Sequence, residues 1–128
     1  MTLETPLREA RGLGSAQEGA EHWWLERQSS ISTLILVVWF FVSLWRLPAY
    51  DHATVTQWLG SPLAAVPMIL LIITTFWHAR AGLFVVIEDY EHGASRLLYV
   101  VLVNFLAFLG AALAIFAVLK IAFAGTAA

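Results

Sequence analysis

The sequence predicts an all-α membrane protein of three transmembrane helices, and three observations carry that prediction. The 128 residues are 60% hydrophobic and only 12% charged, and the mean hydropathy is +0.78, too apolar for a small domain whose surface must face water. The apolar residues gather in three runs, residues 31–47, 63–87 and 97–123, against the roughly 20 helical residues that cross a bilayer core. The first run is just long enough, and the other two leave room for tilt. Finally, there are no cysteines, so the chain has no disulfide, thiolate metal site or iron–sulfur ligation of its own, and any redox group must come from elsewhere.

The segment before the first run, residues 1–29, is polar and carries Glu4, Glu9, Glu18, Glu21 and Glu26, unlike the short basic start of a secretory signal. It reads as a retained strap ahead of a membrane domain spanning residues 30–128. Gly12, Gly14 and Gly19 among small and charged residues favour an extended conformation. The G-x-G there precedes no strand–helix unit, which argues against a phosphate-binding loop. His22-Trp23-Trp24 brings an aromatic pair to the membrane surface, with Arg27 one turn before the first span.

Residues 48–62 read as a short exposed link with amphipathic character around Trp58. The third span is the most uniform. Its strongly polar interior residue, Asn104, suits an interhelical hydrogen bond, and Lys120 suits a side chain snorkelling to the interface. Ala107, Gly110, Ala111, Ala114 and Ala117 form a ridge of small residues that lets another helix approach closely.

Three spans put the termini on opposite sides of the membrane. Arg8, Arg11, Arg27 and Arg96 flank one side against Arg46 and Lys120 on the other, a balance that favours a cytoplasmic N-terminus with the C-terminus on the opposite side. A net charge of −2 points to no nucleic-acid partner.

The second span holds the chemistry. His78, Gly82, Val85 and Asp89 stand at i, i+4, i+7 and i+11, one stripe of a helix about 16 Å long. A histidine at this depth either hydrogen-bonds a backbone carbonyl or nearby hydroxyl, or ligates a metal or haem iron. Gly82 tilts the choice towards ligation because it removes bulk where a flat macrocycle would lie, and Thr74 and Thr75 leave the other flank moderately filled. One histidine supplies one axial position, so a six-coordinate haem needs a second ligand from another chain. Arg80, about 200° around from His78, points away from that face and is expected to snorkel or to pair with a neighbouring subunit's carboxylate. Asp89-Tyr90 lies at the headgroup end of the span. The pair is either part of an aromatic belt with a hydrated turn, or a phenol donor and carboxylate suited to holding a quinone carbonyl and supplying protons.

The run H-A-R-A-G-L-F-V-V-I-E-D-Y-E-H-G at residues 78–93 resembles the signature of the small hydrophobic membrane-anchor subunits of succinate dehydrogenase, respiratory complex II. H-W-W-L-E-R-Q-S-S-I at residues 22–31, and R-G-L-G-S before it, are similar to that family's opening motif. The resemblance implies half of a heterodimeric haem-binding helical bundle. His78 would be one axial ligand of haem b, Gly82 would pack against the macrocycle, and Arg27 would lie near the haem propionates. Tyr90 would bond the carbonyl of ubiquinone, with Asp89 in the proton path. The implied partners are a cytochrome b556 membrane subunit carrying the opposing histidine, an iron–sulfur subunit, a flavoprotein subunit and membrane lipid. Succinate oxidation would belong to those soluble subunits, and this chain would help pass electrons to ubiquinone, linking the tricarboxylic acid cycle to the respiratory chain. Arg80 departs from the mostly neutral residues of the family pattern, and Glu91 from a commonly apolar one. A fumarate reductase anchor and a haem-free structural anchor or assembly protein are the alternatives. The ridge, His78, Arg80 and Asn104 are together expected to need cover from a second membrane subunit.

Overall fold

The computed structural model describes residues 16–124. They form four helices: α1 (Ala16–Trp45), α2 (His52–Leu59), α3 (Pro62–Tyr90) and α4 (Ser95–Ala124). Stretches of three of these, Arg27–Trp45, Pro62–Tyr90 and Ser95–Ala124, are long and apolar enough to cross a membrane. The all-α, three-span architecture expected from the apolar runs is therefore present.

The helices outrun the apolar runs because a helix ends where its backbone bonding ends, not where its hydropathy falls. α1 begins at Ala16, so residues 16–29 are helical where an extended strap was expected; the remainder of the strap, residues 1–15, lies outside the described residues. α3 continues through the polar Glu88-Asp89-Tyr90. The link between the first two spans also differs, since it contains α2. Asp51 caps this short helix, accepting bonds from the Thr54 backbone N–H at 3.4 Å and the Thr54 hydroxyl at 2.5 Å. Pro62 then opens α3 at a position whose N–H would be unsatisfied in any case.

α3 is the centre of the domain. α1 packs on one side of it and α4 more extensively on another, while no close backbone approach joins α1 to α4 among the described residues. The result is an open row of three spans. α2 folds back against the start of α3 and the end of α4, and its Trp58 stacks on Trp39 of α1 with centroids 6.1 Å apart. The enclosed hydrophobic residues, Ala64, Ala65 and Val118, belong to those same ends of α3 and α4. Many of the large apolar side chains of the described residues are exposed, as lipid and partner helices rather than a private core require.

Candidate functional site

α3 and α4 are antiparallel and joined by a tight turn, so residues equally far from the turn meet at equal depth. Phe76 meets Gly110, and Arg80 meets Asn104. A Cβ built on Gly110 would lie 2.6 Å from Phe76 Cε1, so the absence of a side chain there is what admits the ring. One turn along, Arg80 Nε donates to Asn104 Oδ1, and the Arg80 guanidinium carbon lies 5.5 Å from the Trp77 ring centroid.

These contacts confirm Asn104 as an interhelical hydrogen-bonding residue and correct two expectations. Arg80 reaches across to α4 of its own chain, because Asn104 presents an acceptor at the same depth. The small-residue ridge around Gly110 likewise faces α3 rather than waiting for another subunit.

With α3 rotated so that Phe76 and Arg80 face α4, His78 comes out on the other side. His78, Gly82, Val85 and Asp89 are all exposed, whereas Phe76, Arg80, Phe84 and Ile87 are partly covered. The whole stripe thus forms one outward face. A Cβ at Gly82 would meet nothing within 4 Å, leaving the surface beside His78 flat and open. Among the described residues the His78 ring has no hydrogen-bond partner, so the carbonyl or hydroxyl that could have explained it does not come from this part of the chain. Nor do the described residues contain a cluster of three His, Cys, Asp or Glu able to hold a bare metal ion. His78 alone offers one ligand position on this face.

At the end of the stripe the acidic turn sorts its carboxylates. Arg96 donates to Glu88 at 2.6 Å, and the Ser95 hydroxyl donates to Glu91 at 2.8 Å. The backbone closes the turn through Glu91 N–H to Ile87 O at 2.9 Å and Arg96 N–H to Gly93 O at 3.1 Å. Glu91 thus tethers the first turn of α4. Asp89 and Tyr90 make no side-chain hydrogen bond to the described residues, and Tyr90 is 81% exposed. Glu88 and Glu91 are thus engaged within the turn, and Asp89 and Tyr90, among the described residues, are not.

Arg27 lies on α1 at the same membrane end as Tyr90. Its guanidinium sits 5.1 Å from the Trp23 ring centroid, and Trp23 stacks on Trp24 at 6.0 Å. The arginine is exposed and its guanidinium lies by an aromatic ring.

Comparison with known proteins decides the family. The model of the succinate dehydrogenase/fumarate reductase transmembrane subunit matches residues 1–123. The chain belongs to this succinate dehydrogenase membrane-anchor family. The anchor is 30% identical over 96 residues to the succinate dehydrogenase hydrophobic membrane anchor subunit of Paracoccus denitrificans, covering 75% of this chain and 74% of that one. It is 32% identical over 81 residues to the same subunit of Rickettsia bellii (strain RML369-C), covering 63% and 65%. It is also 30% identical over 96 residues to the succinate dehydrogenase membrane anchor subunit of Reclinomonas americana, covering 71% and 79%. No solved structure matches the anchor.

The pairing of Arg80 with Asn104 escaped a residue-by-residue reading of the anchor's sequence, although a signal was present. Arg80 stands ten residues before the end of α3 and Asn104 nine after the start of α4, so a tight turn between these helices brings the two to one level.

Proposed function

We propose that this membrane anchor of a succinate dehydrogenase complex supplies one axial haem b ligand and part of the site where ubiquinone is reduced. The observation that carries the reading is the outward stripe of α3. Among the described residues, His78 and Gly82 offer an imidazole without a hydrogen-bond partner next to an open surface, and Asp89 and Tyr90 close the same side of the span with a carboxylate and a phenol that are likewise without one. That face fits half of a shared haem pocket, with a cytochrome b556 subunit providing the opposing histidine. On the other face, Arg80 donates to Asn104 within the chain.

His78 would hold the iron and Gly82 would accept the edge or face of the macrocycle, with Arg27 directing its donors to the propionates. When bound, haem b supplies a one-electron carrier within the membrane. Tyr90 would donate its O–H to a ubiquinone carbonyl oxygen. That bond strengthens as negative charge grows on the oxygen, which favours reduction over simple binding. Reduction of one ubiquinone to the quinol consumes two electrons, delivered from the iron–sulfur subunit, and two protons. Asp89, at the aqueous end of α3, would relay protons from the cytoplasm towards the oxygen held by Tyr90. The flavoprotein and iron–sulfur subunits dock on that cytoplasmic face, in a bacterial inner membrane with the N-terminus of this chain inside.

Tyr90→Phe tests the reading because it keeps the ring and deletes the donor. Succinate oxidation coupled to ubiquinone should fall at least tenfold, while succinate oxidation with an artificial acceptor at the soluble subunits is retained. An undiminished ubiquinone rate would reduce Tyr90 to an interfacial aromatic, and equal losses in both assays would mean failed assembly.

A further inference from the structure

Arg80 is a permanent charge within a membrane span, because a guanidinium is not deprotonated in proteins. It lies ten residues, about 15 Å, from the Tyr90 end of α3. Its bonding holds it without neutralising it. Asn104 and Trp77 are both uncharged, and among the described residues no carboxylate lies within ion-pair distance of it. A positive charge is therefore fixed on the α4 face of α3, partly covered, while His78 occupies the opposite face of the same helix two residues away.

We propose that Arg80 is a positioning residue whose Asn104-held charge raises the reduction potential of the redox group carried on His78. This rests on the haem reading of His78 given above. The reasoning is electrostatic and requires no contact. Adding an electron to a group near a fixed positive charge is favoured, and the low-dielectric surroundings of a membrane span screen that interaction poorly. Acting across the thickness of one helix, about 10–12 Å, at an effective dielectric constant of about 20, a unit charge changes a one-electron equilibrium about tenfold. For a one-electron couple that is ~59 mV. The same contact sets geometry: Phe76 against Gly110 and Arg80 on Asn104 fix the rotation of α3, and His78, between them in sequence, is turned outward as a result.

The test is an optical redox titration of the b-type absorbance in the purified whole complex, carried by three variants. Arg80→Gln removes the charge. Asn104→Asp keeps an acceptor for Arg80 but adds a carboxylate that the guanidinium holds ionised, neutralising the charge from a helix that does not carry His78. Arg80→Lys retains the charge. The midpoint should fall by ~59 mV in both Arg80→Gln and Asn104→Asp and stay near wild type in Arg80→Lys. A purely structural role would lower the yield of complex and leave the midpoint of what remains unmoved. Unchanged midpoints in Arg80→Gln and Asn104→Asp overturn the inference. If Arg80→Gln fails to assemble, Asn104→Asp decides alone, a fall upholding the proposal and no change overturning it. Absence of b-type absorbance in the wild-type complex would instead overturn the underlying haem reading, and is seen before any variant is titrated.

Discussion

Replacing Gly110 should separate α3 from α4 by a steric route that touches no redox ligand. A methyl group at Gly110 would stand 2.6 Å from Phe76 Cε1 and 3.0 Å from Cζ, against the 3.5–4.0 Å at which carbon atoms attract. The ring must therefore retreat by about 1 Å. A groove of 290 Å³ bordered by Phe76, Trp77, Arg80 and Ala111 lies beside it and absorbs part of that movement. Gly110→Ala should accordingly cost about 1 kcal/mol, the lower end for overpacking, and Gly110→Leu about 3 kcal/mol, because the longer side chain cannot be cleared by ring motion alone. Thermal denaturation of the detergent-solubilised complex should give melting temperatures in the order wild type, Gly110→Ala, Gly110→Leu. Adding Phe76→Ala to Gly110→Leu should recover 1 kcal/mol or more of the loss, a coupling typical of residues in contact. Wild-type stability in Gly110→Leu, or the absence of any relief from Phe76→Ala, would refute the packing of this pair.

The turn and the short helix α2 offer milder perturbations. The Arg96–Glu88 ion pair is roughly half exposed on both sides, so Arg96→Ala should cost less than about 1 kcal/mol, with the difference from wild type shrinking as salt is added; a loss above 2 kcal/mol would mean that the pair is covered in the assembled complex. At α2, the Thr54 hydroxyl and then the Thr54 backbone N–H hold the Asp51 carboxyl below its ordinary value of 3.8. A depressed carboxylate stabilises the folded state above its unfolded pKa and loses that contribution as pH falls through the folded one. Hydrogen-exchange protection of α2, corrected for intrinsic rates, should therefore be constant near neutrality and decline in acid below 3.8, whereas Asp51→Ala should show reduced protection already at neutral pH and no further acid step. Equal acid dependence in both proteins would count against the cap.

Much of the fold is legible in hydropathy, because the membrane imposes a length and a composition on anything that crosses it. The ends of the helices are not. Glu88, Asp89 and Tyr90 are too polar to count as a span, yet they continue α3, since each can still bond its own backbone and face water. α2 hides for a different reason: eight residues are too few for a periodic pattern, and its trace in sequence is Asp51 standing three residues before Thr54. In the candidate site, helical periodicity correctly separates His78 from Arg80 and groups His78 with Gly82 and Asp89 on one outward face. Periodicity cannot say which face α4 will take. That choice rests on Gly110 admitting Phe76 and on Asn104 meeting Arg80, two contacts visible only when the helices are laid antiparallel from the turn. A ridge of small residues alone equally suits a partner subunit.

The central claim is that the open face beside His78 carries haem iron, and a reduced-minus-oxidised spectrum of the purified complex tests it most directly. The wild-type complex should display a low-spin b-type spectrum. His78→Ala should weaken or abolish it by removing an axial ligand, Gly82→Leu should perturb it by crowding the macrocycle, and His92→Ala, altered in the turn beyond α3, should leave it intact. A spectrum unaltered by His78→Ala would contradict the account.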